Sequence, residues 1–201
     1  MPQYLVYRQE LYLYVVHTFT ERSQYVSDLR GEFGYYKPAM LFVRGLIFTV
    51  AIPGLVAVWI PYRMLGGRPA AAGAWGLGWI LVAIGAAVYL RCLAGFLASG
   101  GTPAMFFTRS LRWLIGEEPP LLVRGGLYRF SRNPMYLGVL AVIFGQAIVF
   151  ASGPVARYGV LMAIGFHLAV VLFEEPHLRA REGAEYEEYC RRVPRWLGWA
   201  G

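Results

Sequence analysis

Four stretches of this chain are long, apolar and almost free of charge: Met40 to Leu65, Trp75 to Ala98, Pro134 to Ser152, and Val155 to Phe173. Each runs for 19 to 26 residues, enough for a helix to cross a hydrocarbon core of about 30 Å. Arg44, Arg63 and Arg157 lie near stretch ends, where a long side chain reaches the headgroups. With 57% hydrophobic and 15% charged residues in 201, the composition is that of a membrane protein rather than a soluble domain. The expected fold is an all-α integral membrane protein of about four transmembrane helices, ending in a helical hairpin with a cytoplasmic loop and tail. Only Gly153 and Pro154 separate the last two stretches, which therefore run antiparallel.

Three parts are expected. Residues 1–39 mix Tyr4, Tyr7, Leu11, Tyr12, Tyr14 and Phe19 with Arg8, Glu10, Glu21 and Arg22, and read as an interfacial or soluble helical extension without a signal-peptide pattern. Residues 40–98 hold the first two spans, and residues 99–201 hold a loop, the last two spans and a tail. Met105 to Gly116 mixes aromatics with Arg109 and Arg112 and reads as a short helix in the headgroup layer. No internal repeat is visible, which disfavours a repeat-built transporter.

Eighteen of the 19 basic residues are arginine, Lys37 being the exception, and the net charge is +7. Arginines crowded beside apolar spans suit anionic lipid headgroups, and so little polar surface leaves no room for a nucleic-acid groove. Four spans place fourteen loop and tail cations on one side and two on the other, so both termini are expected in the cytoplasm, at the inner membrane. Two cysteines, Cys92 in an apolar run and Cys190 in a charged tail, exclude a disulfide scaffold and are expected unpaired.

Polar and proline-broken sequence gathers in residues 119–138 and 167–197. Asn133 before Pro134 suits a helix start, Asn as the cap and Pro at the first position. Two readings stand: a plain start to a span, or a seat for an anionic group at the free N–H end. Glu174 and Glu175 fall where the fourth span ends, and the negative end of a helix is a poor place for two carboxylates. A cationic ligand, ligand hydroxyls or nearby arginines would compensate them. A metal site is weak, because His167 and His177 stand at no ligand-like spacing. Arg91, inside the second stretch, either snorkels to the interface or holds the anionic group of a substrate.

Taken in order, Leu90-Arg91, Gly101-Thr102-Pro103-Ala104, Leu122-Val123 to Tyr128, Arg132-Asn133-Pro134-Met135-Tyr136-Leu137-Gly138, Glu174-Glu175-Pro176-His177-Leu178, and Gly183 through Tyr186, Tyr189 and Val193-Pro194-Arg195-Trp196 resemble a known pattern. It is that of the isoprenylcysteine carboxyl methyltransferase and phospholipid methyltransferase superfamily of membrane enzymes, over about Leu90 to Leu197. The resemblance implies methyl transfer from S-adenosylmethionine. It implies a cofactor pocket of Pro120, Leu121, Leu122, Val123, Tyr128, Asn133, Pro134, Met135, Tyr136 and Glu174, with Arg91 holding a substrate carboxylate. A second substrate arginine of the prenylcysteine enzymes corresponds here to Val170, so prenylcysteine itself is not implied.

Displacement at a sulfonium methyl needs positioning and electrostatics rather than a protein nucleophile. A carboxylate acceptor is already ionised, whereas an ammonium must first lose a proton. Arg91 therefore suits an anionic acceptor, and Glu175 or His177 as a base would suit an amine. A lipid-like carboxylate is the expected acceptor, with a phospholipid amine as the alternative and membrane lipids as surroundings. A sterol-reductase-like enzyme using NADPH shares part of the tail pattern but needs more spans. A non-catalytic scaffold would use the same motifs only as caps and packing.

Overall fold

The computed structural model describes residues 38–67, 69, 75–103, 116 and 118–197. The expected extension 1–39 and the interfacial helix at Met105 to Gly116 lie almost wholly outside the described residues. The chain divides into two units at Met40, and the second, Leu41–Gly201, carries nearly all of the described helices. The protein is all-helical, and no strand occurs among the described residues.

Among the described residues three helices are long and apolar enough to cross a membrane: α1, Ala39–Leu65; α2, Trp75–Ala98; and a third, Gly153–Glu182. Between the last two lies α3, Pro134–Val149. At 16 residues, or about 24 Å, α3 falls short of the other three, so the expected four spans become three long helices and one shorter helix. The link before the final helix is Phe150 to Ser152, with Ala151 at φ 45°. Gly153 and Pro154, expected as the linker, instead form the first helical turn beyond it, where Ser152 accepts a hydrogen bond from the Val155 N–H.

The third long helix consists of α4, Gly153–Ala169, a π turn at Val170–Glu174, and α5, Glu175–Glu182. Gly183, at φ 57°, turns the chain into α6, Ala184–Arg192.

Close contact between α2 and α3 forms the centre. Gly78 and Gly85 on α2 meet Gly145 and Gly138 on α3. A Cβ on Gly85 would sit 2.6 Å from the Gly138 carbonyl oxygen, and one on Gly145 would sit 2.8 Å from that of Gly78. Inside a bilayer, helices associate by backbone approach rather than by expulsion of water, and the small residues make that approach possible. Cys92, Met135, Val139, Ile143 and Val155 fill the adjoining core. Both cysteines are free thiols.

Helix α1 is irregular for identifiable reasons. Pro53 lacks an N–H, and Val50–Trp59 is wound as a π helix. Where the winding returns to α, the Ile60 N–H bonds to the Leu55 carbonyl, which leaves the Val56 carbonyl without its usual donor. Pro61 removes the donor for Ala57 in the same way. Side chains supply both: Tyr158 Oη donates to Val56 O at 2.9 Å, and Gln146 Nε2 donates to Ala57 O at 2.6 Å. In lipid no water could do this. The defect in α1 thus fastens it to α3 and α4.

Candidate functional site

The loop after α2 is pinned at its base. A Cβ on Gly101 would lie 2.3 Å from Pro119 N, so only glycine allows the Gly101-Thr102-Pro103 segment to lie against Pro119. Thr102 is fully buried there. The loop then makes a 3-10 turn at Gly126–Arg129, which turns Tyr128 inward against Phe96 with ring centroids 5.7 Å apart. Tyr189 Oη donates to Tyr128 O at 2.7 Å. Burial pushes the Tyr128 phenol well above its ordinary pKa, so it remains a neutral hydroxyl.

The start of α3 is tied to the tail. Arg132 N–H donates to Pro194 O at 2.9 Å, and Asn133 Nδ2 donates to Arg195 O at the same distance. Ser131 Oγ accepts from Asn133 N–H at 3.1 Å. The side chain of Asn133 makes no cap hydrogen bond; it was expected to cap α3, but it is a donor to the tail instead. Pro134 does occupy the first helical position.

The π turn after α4 brings two consecutive glutamates to the same region, with the Glu175 N–H bonding back to Val170 O. Their surroundings differ. Glu175 is 2% exposed and is held by Arg195 at 2.6 and 3.0 Å, Arg132 at 3.0 Å and Arg179 at 3.5 Å. Glu174 accepts a short hydrogen bond from Tyr136 Oη, and no cation among the described residues pairs with it. Tyr136 itself is braced by Phe166, with centroids 4.6 Å apart. A third carboxylate, Glu118, meets Arg181 at 2.5 Å and His177 Nε2 at 3.3 Å.

These parts enclose a cavity. Of the expected site residues, Leu121, Leu122, Val123, Tyr128, Asn133, Met135, Tyr136, Glu174 and Glu175 line it. Pro120 and Pro134 do not; both belong to the backbone that shapes it. Arg91 is exposed and also lies outside the wall, and its guanidinium stands 3.8 Å from where a Cβ on Gly126 would be, beside the turn that carries Tyr128. Phe96, Glu118, Arg181 and Leu178 also line it without having been singled out as site residues, as do Tyr186 and Tyr189 on one face of α6. Among the described residues no three His, Cys, Asp or Glu side chains are grouped to hold a metal ion.

The cavity thus joins apolar walls, several aromatic rings and one carboxylate, Glu174, with no cationic partner among the described residues, at the ends of the long apolar helices. A family model described as phospholipid methyltransferase matches residues 76–181, more than half of the chain, and the chain belongs to that family. It thereby falls within the isoprenylcysteine carboxyl methyltransferase and phospholipid methyltransferase superfamily. No curated protein and no solved structure matches the chain. The family and the three long apolar helices make it an integral membrane methyltransferase, and family membership implies S-adenosylmethionine as methyl donor and lipids as substrates.

Proposed function

We propose that this cavity binds S-adenosylmethionine and that the protein methylates a lipid-borne acceptor at the membrane boundary. The observation that carries this reading is Glu174. It lies at the cavity wall with Tyr136 fixing one oxygen and no cation of the described residues against it. A sulfonium supplies the missing positive charge, and the surrounding tyrosine rings favour a cation over a neutral molecule. When bound, S-adenosylmethionine supplies an activated methyl group. Leu121, Leu122, Val123 and Met135 exclude water, while Tyr128, Asn133 and Pro134 fix the shape of the wall through the 3-10 turn and the tail contacts. The positive-inside count favours the cytoplasmic face for this region and for both termini.

The acceptor that fits best is a phospholipid amine. The two arginines of the described wall are already engaged, Arg132 by Glu175 and Arg181 by Glu118, which leaves neither of them free for a substrate carboxylate. An ammonium acceptor must lose its proton, and His177, paired with Glu118 and lining the cavity, is positioned to receive it. Glu175, saturated by arginines, serves to position Arg132 and the tail rather than to accept a proton. The carboxylate reading keeps one supporting observation, the Arg91 guanidinium beside the Tyr128 turn.

Two measurements test the proposal. S-adenosylhomocysteine should raise the melting temperature of the purified protein while NADPH does not; the reverse would defeat it. Membranes given methyl-labelled cofactor should yield a labelled lipid. Label stable to base indicates N-methylation, and label released by base indicates a methyl ester and restores Arg91 to the substrate site.

A further inference from the structure

A second hollow lies between the π-wound part of α1, α2 and α3, with a volume of about 840 Å3. That is the size of a pocket for a sizeable small molecule, roughly 300–1,000 Å3. Its walls include Pro53, Leu55 and Val58 from α1, Ala86 and Leu90 from α2, and Val142 from α3. Two of its few hydroxyls are already spent on each other. Thr49 donates to Gly45 O at 2.8 Å, so the proton in its 2.9 Å contact with Tyr89 comes from Tyr89. Nothing in this hollow asks for a polar ligand.

We propose that the hollow seats the hydrocarbon chain of the methyl acceptor, a proposal that rests on the cavity reading above. The direction in which the hollow leads identifies its occupant. On α3, Val139 lines the hollow and Met135, one turn away, lines the cavity; the axial step is about 6 Å. On α2, Leu90 lines the hollow and Phe96 lines the cavity, a step of about 9 Å. The two spaces thus succeed each other along the same pair of helices, one lined almost wholly by apolar side chains, the other bearing the charged groups. A chain laid in the first delivers its headgroup towards the second. The irregular winding of α1 shapes the outer wall, and the donors Gln146 and Tyr158 allow that winding to persist in lipid.

The test uses the intact protein in vesicles containing phosphatidylethanolamine with a diazirine near the end of one acyl chain. Irradiation should label peptides spanning residues 50–62 and 82–90, and unlabelled lipid should compete. Val58→Trp, at a position 57% exposed, and Ala86→Phe each fill the hollow; each should cut the label at least fivefold and raise the apparent KM for lipid. Binding of S-adenosylhomocysteine should stay unchanged, which also shows that the variants fold. Label that lands elsewhere, label unaffected by both substitutions, or cross-links between two copies at Val58 would overturn the proposal. Failure of the wild-type protein to bind S-adenosylhomocysteine would instead defeat the cavity reading, whatever the lipid label shows.

Discussion

Replacing Glu175 separates a structural carboxylate from a catalytic one. Its side chain is 2% exposed and faces Arg132, which is 11% exposed, as well as Arg195 and Arg179, which are 34% and 45% exposed. In Glu175→Ala the two outer arginines regain water, and each such contact is worth less than about 1 kcal/mol. Arg132 cannot regain water, and its Nε already has no hydrogen-bond partner. Stranding a buried charge in this way costs about 3 kcal/mol, the low end for breaking a buried pair. In Glu175→Gln the amide oxygen still accepts from Arg195, and the loss is about 1.5 kcal/mol. For a chain of this size that corresponds to melting temperatures lower by about 6–12 °C and about 3–6 °C respectively. Thermal unfolding in detergent measures both, with S-adenosylhomocysteine titration alongside. Cofactor affinity should fall together with stability in both variants. A Glu175→Gln protein with wild-type melting temperature and cofactor affinity, but no methyl transfer, would refute this reasoning and make Glu175 the base.

Other substitutions probe other links of the structure. Gly85→Val places new atoms within 2.6 to 2.8 Å of α3 backbone and should cost about 1–3 kcal/mol in thermal unfolding by forcing α2 and α3 apart. Gly95→Ala, with nothing within 4 Å, should be neutral or stabilising by up to about 1 kcal/mol in the same assay. Gln146→Leu strips Ala57 O of its donor and should destabilise by about 0.6–2 kcal/mol. Glu174→Gln should weaken S-adenosylmethionine binding in calorimetry by about tenfold or more while sparing the thioether product, since only the former carries the sulfonium; equal losses would place Glu174 against another part of the cofactor. Burial raises the pKa of Tyr189 above its ordinary 10.0. The folded state therefore holds this proton more tightly than the unfolded chain, and its contribution is intact below pH 10 and lost above it. Tyr189→Phe should flatten the alkaline limb of a pH–stability curve, and an unchanged slope would count against the burial argument.

Much of the membrane architecture was legible because it rests on local composition. Apolar length located the helices, and Pro134 located the start of α3. What composition could not convey was helix irregularity. The π turn at Val170–Glu174 contains no proline or glycine of its own; the local cue is Pro176 just beyond it, whose missing N–H was not read as a sign of irregular winding. The difference in surroundings between the two glutamates was equally hidden, because two of the three arginines around Glu175 come from positions 43 and 20 residues away. Glu118 was overlooked for the same reason: its partners, His177 and Arg181, are more than fifty residues further on. Asn133 was read as a cap from its neighbour Pro134, but the tail carbonyl of Arg195 competed for its amide and won. The signal that was present and unread is the spacing of Gly78 with Gly85 and Gly138 with Gly145, seven residues apart on each helix, which marks the faces that meet.

The backbone carbonyls of Pro194 and Arg195 hold the entrance to α3, and this sets an order of events during biosynthesis. All four hydrophobic helices precede those two carbonyls in the chain, so every helix is already made before the groups that tie down the start of α3 exist. A chain interrupted before Val193 would keep its helices but lack the carbonyls that hold Arg132 and Asn133.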